Sequence, residues 1–408
     1  MRADPVITGL GTIGPGGQGR AALARALALG KPAVTEVDRA GGAHRESGAR
    51  LAALVRERDL SRFIAPAAGR RMSFPSRLAV AAGRMALEEA GLGAADTGGA
   101  RTGVYLSTTF GPGLFTELLL RAVFLEGAAA AQPFHFSECV ANAPAAQLAI
   151  AVGARGPSLM LTQREAGPIL AVARAAQAVR EGRVDRALAG AVEEITPLLH
   201  ALLDRFGALA GPGDGRVEMP RPFDRRRDGF LAGEGATVVV IEREEAARAR
   251  GARAQARIGW SGAAFDPTAT VSDWGDGHAA LAGSLAAGLR EVPGGARGIG
   301  AVVSGASGAR RGDRLEAHVL RAVWSGDPLP PLLVPKAVTG EYGGGILGPA
   351  LLALEGASFG PTPGFAEIDP EVEVAPHRGA ASPAPERVLL TGLASGGGAA
   401  WLVLERTA

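Results

Sequence analysis

Residues 156–190 read GPSLMLTQREAGPILAVARAAQAVREGRVDRALAG, and this is where the chain is best placed to do chemistry. Leu159-Met160-Leu161 is an uncharged apolar run, as in a strand buried inside a sheet. Residues 162–167 then turn the chain. Pro168 follows, and its fixed φ and missing N–H suit the first turn of a helix. Ile169, Val172, Ala176 and Val179 recur at helical spacing, and a second small apolar strand covers residues 187–190. Strand, tight elbow, helix and strand make a βαβ unit. Such an elbow sets one side chain at the positive end of a helix, where a thiolate or an oxyanion is stabilised. Cys139, the only cysteine, lies upstream in PFHFSECVANAPAAQLAIAVGA and reads as a small buried apolar residue, not a nucleophile.

The elements that must position this elbow have ample material. With 408 residues, 47% of them apolar, the chain is long enough for one large domain or two ordinary ones. The net charge is only +2, Lys31 and Lys336 are the only lysines, and no basic patch is interleaved with aromatics, so a nucleic-acid partner is not expected. One cysteine excludes an internal disulfide, no Cys/His cluster suggests zinc, and neither metal nor cofactor is expected. No apolar stretch reaches the roughly 18 residues that span a membrane, and residues 1–20 lack a signal-peptide layout, which makes the cytoplasm the expected location.

The opening strand PVITGL runs into GLGTIGPGGQG, but the helix and acidic residue of a dinucleotide fingerprint do not follow. Helices are predicted over residues 20–29, 76–92, 115–125, 276–290, 315–324 and 349–354, and strands over 102–107, 254–262 and 401–405. PRPFDRRRDGFLAGEG is a charged, glycine-punctuated loop that leads into the buried strand ATVVVIE; within it Arg227 and Asp228 are expected to pair.

Several of these stretches together resemble the β-ketoacyl synthases, the condensing enzymes of fatty-acid and polyketide assembly. The resemblance rests on the opening VITGLG, the helix SRLAVAAGRMALEEAGL, the loop TTFGPG, the PRPFDRRRDGFLAGEGA block, VPKAVTGE and the closing LASGGG, in family order and spacing across nearly the whole chain. It implies a thiolase-type α/β fold, a five-layer αβαβα sandwich of two similar β-α-β-α-β halves, residues 1–250 and 251–408. It also sets Glu165 where the family's nucleophilic Cys stands. Gly305 takes the place of the first catalytic His (Ser304 after a one-residue slip), and Glu341 that of the second. Lys336 is kept, and Ser395 replaces a gatekeeping Phe.

Carbon–carbon condensation needs a nucleophile to carry the acyl group and imidazoles to polarise the malonyl thioester. A relative lacking all three resembles the chain-length factor, or ketosynthase-β, of type II polyketide synthases. The resemblance implies an inactive subunit that pairs with an active ketosynthase, meets an acyl carrier protein, and shapes the tunnel that limits polyketide or polyene length. The alternative is a malonyl-carrier-protein decarboxylase that supplies the starter; the missing histidines argue against it. Glu165, at a helix N-terminus that favours its carboxylate, is expected to pair with Lys336 directly or through water, with Glu341 sharing the lysine; the alternative is that Lys336 only caps backbone carbonyls. The tunnel and interface are expected on the helix of residues 115–125, at Phe115, Thr116, Leu119 and Leu120, with Phe134 across the loop.

Overall fold

The computed structural model describes every residue except 1–3, 40–47, 94, 95, 97, 98, 100, 213–216, 381, 382 and 408. Its strands are β1 (Pro5–Gly14), β2 (Thr102–Ser107), β3 (Ser158–Leu161), β4 (Arg186–Glu193), β5 (Gly235–Arg243), β6 (Ala256–Phe265), β7 (Ala301–Val303), β8 (Leu332–Leu333), β9 (Arg387–Leu393) and β10 (Gly398–Glu405). They follow one hydrogen-bonded path, β8-β7-β9-β10-β6-β1-β5-β4-β2-β3. On either side of the β1–β6 seam, which is only Val6↔Arg257 and Ile7↔Ala256, the order is the same. In each half two parallel pairings at the outer edge are followed by two antiparallel ones.

The main helices are α1 (Gly19–Leu29), α2 (Phe74–Glu89), α3 (Gly113–Glu126), α4 (Pro133–Glu138), α5 (Ala143–Val152), α6 (Gly167–Arg180), α7 (His278–Leu289), α8 (Arg310–Val323) and α9 (Leu347–Leu354). Three apolar cores fix the layering. α2 and α5 cover one face of the first half through Leu78, Ala82 and Leu148. α7 and α8 cover the second through Leu285 and Leu320. Between the halves lie α6 and α9, with Ile169, Val172, Val179, Leu347 and Leu351 buried. Both are rich in alanine and small apolar residues because sheet closes over them on two sides. This is the αβαβα sandwich of the thiolase fold.

α2 starts earlier than its apolar pattern suggests, because Pro75 occupies its first turn and the Ser73 hydroxyl accepts the Ser76 N–H. It lies close on β1: a Cβ at Gly11 would sit 1.8 Å from the Ala82 carbonyl oxygen. β6 is displaced from the expected 254–262, and α8 begins five residues before the expected 315. Two expectations fail. The run Leu159-Met160-Leu161 is a strand but not a buried one. β3 pairs only with β2 and forms the outer edge of the sheet, so Leu159 is exposed. Arg227 does not pair with Asp228. Its buried guanidinium binds Asp369 and the Asp224 carbonyl, whereas Asp228 lies 3.6 Å from Arg221. Adjacent residues of the loop take different partners: Arg227 reaches Asp369 in a distant segment, and Asp228 faces Arg221 earlier in the same loop.

Candidate functional site

The elbow after β3 is a single turn of 3-10 helix, Arg164–Ala166, that runs into α6 at Gly167 and Pro168. Arg164 has φ 46°, the left-handed region that costs a non-glycine residue energy. That twist turns Glu165 toward the second half of the molecule. There its Oε2 accepts the Ser395 N–H at 3.2 Å, and its Oε1 accepts the Ser395 hydroxyl at 3.4 Å. The Arg164 guanidinium in turn donates to the Ser395 oxygen at 2.8 Å. Ser395 therefore ties the elbow to the loop between β9 and β10.

Lys336 opens a short helix after β8 and is fully buried. Its Nζ donates to Glu341 Oε1 at 2.6 Å, while Glu341 Oε2, also buried, has no hydrogen-bond partner among the described residues. The structure thus brings Glu165, Lys336 and Glu341 into one enclosed cluster, but the lysine bonds to Glu341, and the carboxyl of Glu165 is held by Ser395. The expected stabilisation of the Glu165 carboxylate by the helix end does not prevail. Burial, and then the negative charge of Glu341, push its carboxyl up to about 7, against the opposing charges of Lys336 and Arg164.

Gly305 closes the floor. Its N–H donates to the Thr391 hydroxyl at 3.1 Å, and that hydroxyl donates to the buried Glu316 carboxylate. Ser304 donates to the same Glu316 oxygen at 2.7 Å. A Cβ on Gly305 would meet the Thr391 carbonyl oxygen at 2.6 Å, so the segment just after β7 approaches β9 at a distance only glycine permits. Asp313, near the start of α8, accepts the N–H groups of Phe223, Ser307 and Gly308; burial lifts its carboxyl to about 7. No three potential metal ligands converge among the described residues, and no described helix is long and apolar enough to cross a membrane.

The second sequence-marked region is a flank. Ser107, at the end of β2, packs against Gly167 at the head of α6, and residues 108–112 lead from there to α3. No residue of α3 is fully buried in the single chain. Phe115 meets Phe134 and His135 of α4 edge-to-face, at 6.1 and 5.1 Å between ring centres. The Thr116 hydroxyl donates to the Pro112 and Cys139 carbonyls. Phe115, Thr116 and Phe134 are therefore together; Leu119 is half-buried and Leu120 faces outward. Cys139 is half-buried rather than enclosed, and its thiol donates to the Phe136 carbonyl at 3.3 Å. Phe124 and Phe136 stand 78% and 66% exposed, beside exposed Leu125, Val140, Ile150 and the edge strand's Leu159.

Beneath this apolar surface lie carboxylates that sequence reasoning passed over. Glu193 accepts Thr108 Oγ1 and the N–H groups of Thr109 and Phe110. Glu194 accepts the Leu114 N–H. Glu138 accepts Ser73, Ser76 and Gln147. Two acids ending the apolar strand RALAGAVEE were the available signal.

Residues 3–247 match the family model described as β-ketoacyl synthase, N-terminal domain. The chain belongs to the β-ketoacyl synthase family. Among its relatives, the putative polyketide β-ketoacyl synthase 2 of Streptomyces halstedii is 30% identical over 412 residues, covering 99% of this chain and 97% of the relative. The tetracenomycin polyketide synthase ketoacyl synthase α subunit of Streptomyces glaucescens is 30% identical over 387 residues, covering 90% and 89%. The solved structure of the ishigamide ketosynthase/chain length factor superposes over 100% of both chains with a TM-score of 0.90 at 27% identity. The ketosynthase resemblance and the thiolase-type fold read from the sequence therefore hold, and the chain is homologous to the ketosynthase subunits of type II polyketide synthases.

Proposed function

We propose that this chain is a non-condensing, chain-length-factor subunit that pairs with an active ketosynthase, receives acyl carrier protein at the shared assembly, and bounds the growing polyketide or polyene. One observation carries the reading: the elbow that would present a nucleophile presents Glu165, locked to Ser395 beside Lys336, with Glu341 and Gly305 at the positions read as those of the two imidazoles. A carboxyl there forms no thioester and no side chain nearby polarises one. The exposed apolar flank of α3, α4 and β3 supports a partner of the same fold. An obligate interface of this kind buries upwards of about 2,000 Å² and is apolar at its centre. In this reading the halves 1–250 and 251–408 act as one unit, and Phe115, Thr116, Leu119, Leu120 and Phe134 line the tunnel floor.

The decarboxylase reading has one observation in its favour. A carboxyl with a pKa near 7 can return a proton to an enolate. A single experiment weighs both. Co-expression with the ketosynthase and carrier protein, followed by mass spectrometry, yields products of defined length only when this chain is present. Release of carbon dioxide from malonyl-carrier protein by this chain alone, lost in Glu165→Gln, would favour decarboxylation instead.

A further inference from the structure

α3 presents a problem of placement: it fully buries no residue in the single chain, its preceding residue Pro112 supplies no side-chain cap, and Leu114, Leu118, Leu120, Phe124 and Leu125 are exposed. A helix held by so little packing needs another anchor. The anchors are carboxylates at the end of β4. Glu193 gathers three donors from residues 108–110, at 3.1, 2.6 and 3.2 Å. Glu194, one residue on, reaches the first turn of α3 and accepts the Leu114 N–H at 3.2 Å. It thus caps from eighty residues away a helix that no nearby side chain caps, and it sets an acceptor oxygen at the helix's positive end. Both acids are almost completely buried, Glu193 as the last residue of β4 and Glu194 just beyond it. Further along, Glu138 pins the end of α4 to the start of α2.

We infer that Glu193 and Glu194 are positioning residues: they fix where segment 108–116 and the first turn of α3 stand relative to the sheet, and through that the depth available to the acyl chain. The link to acyl depth rests on the preceding reading, in which α3 bounds the chain. The mechanism is rigid transfer. β4 is hydrogen-bonded to β2 on one side and β5 on the other and is buried along its length, which holds its carboxyl end in place. Hydrogen bonds from that point set the near end of α3, where Phe115 and Thr116 lie. The far end, Phe124 and Leu125, has only solvent or a partner to meet.

The test uses the full chain, alone and paired with its ketosynthase. Amide hydrogen exchange over residues 108–116 is followed by mass spectrometry, and products of the pair are weighed. Glu194→Ala removes the acceptor and should raise exchange in the first turn of α3 by about tenfold, the loss of one hydrogen bond to a buried acceptor. It should shift the products by at least one extension unit while turnover stays within about twofold. Glu194→Gln keeps an acceptor oxygen and should restore both. If Glu194→Ala folds poorly, Thr108→Val supplies the same test: it removes the hydroxyl that donates to Glu193 and accepts the Gly111 N–H, and exchange should rise at residues 109–111. Unchanged exchange over 108–116 in Glu194→Ala or in Thr108→Val, or equal disturbance by Glu194→Ala and Glu194→Gln, overturns the positioning role. Raised exchange with products of unchanged length upholds the positioning and overturns the chain-length reading instead.

Discussion

The elbow pocket and the α3–α4 flank invert one another. The pocket holds ionisable groups inside: Lys336 is fully buried, Glu165 is pushed up to about 7, and Glu316 is enclosed on α8. The flank holds phenylalanine and leucine outside, with acids beneath. The pocket's groups bond within their own chain, Lys336 to Glu341 and Glu165 to Ser395, and leave only one oxygen of Glu341 without a partner among the described residues. An apolar surface of aromatic side chains is incomplete in water until another surface covers it. The difference assigns contacts made within the chain to the elbow pocket and dependence on another surface to the flank.

The sharpest way to break this contrast is to revive the pocket. Glu165→Cys, assayed alone with acyl and malonyl carrier proteins, should show no elongation, because Gly305 and Glu341 still offer no imidazole. Robust condensation by this variant would end the non-condensing reading. Next comes the flank. Phe124→Asp combined with Phe136→Asp should weaken association with the ketosynthase by about a hundredfold or more, as removal of buried aromatic anchors does. Sedimentation of the mixed subunits reads this, and unaltered pairing would move the interface elsewhere.

The third prediction concerns pH. Burial raises the carboxyls of Glu165, Glu193, Glu194 and Asp313 to about 7, so the folded chain keeps protons that the unfolded chain releases near pH 4–4.5. Their contribution to stability is present below the unfolded pKa and is lost as pH rises toward 7. Glu165→Gln removes one of them. Between pH 5 and 8 the variant should lose less stability than the parent, by on the order of 2–3 kcal/mol, and be the more stable of the two at pH 8. Denaturant melts across that range decide it; a variant less stable at pH 8 would show that the Glu165 charge is needed. The smallest effect belongs to the flank. Leu119→Ala should cost the isolated chain only about 1 kcal/mol, because the residue is half-buried, against roughly 2–5 for a core leucine. With the ketosynthase present, Leu119→Ala and Phe115→Ala should lengthen the product. A large loss of stability without longer product would make α3 ordinary core.

Much of the fold was legible because its signals are local. The apolar run ATVVVIE, the glycines of the opening strand and the βαβ pattern around Pro168 each depend on near neighbours, and each forms the expected element. The site was legible as a set of positions but not as a set of bonds. That Lys336 and Glu341 meet follows from a five-residue spacing; that Ser395 takes Glu165 joins residues 230 apart. Glu193 and Glu194 were invisible for the same reason. Leu159 misled because an apolar run in a central strand and one at an edge awaiting cover look alike in sequence.

The contact between Gly305 and Thr391 bears on redesign as well as geometry. With 2.6 Å between a would-be Cβ and the Thr391 carbonyl oxygen, the segment that leaves β7 runs too close to β9 for any side chain at residue 305. A histidine placed there would have to push that segment off β9 and disturb the bond from the Gly305 N–H to the Thr391 hydroxyl, and with it the link from Thr391 to Glu316. The backbone acts as a lock: whatever stands at residues 165 and 341, an imidazole at residue 305 requires the segment after β7 to move first.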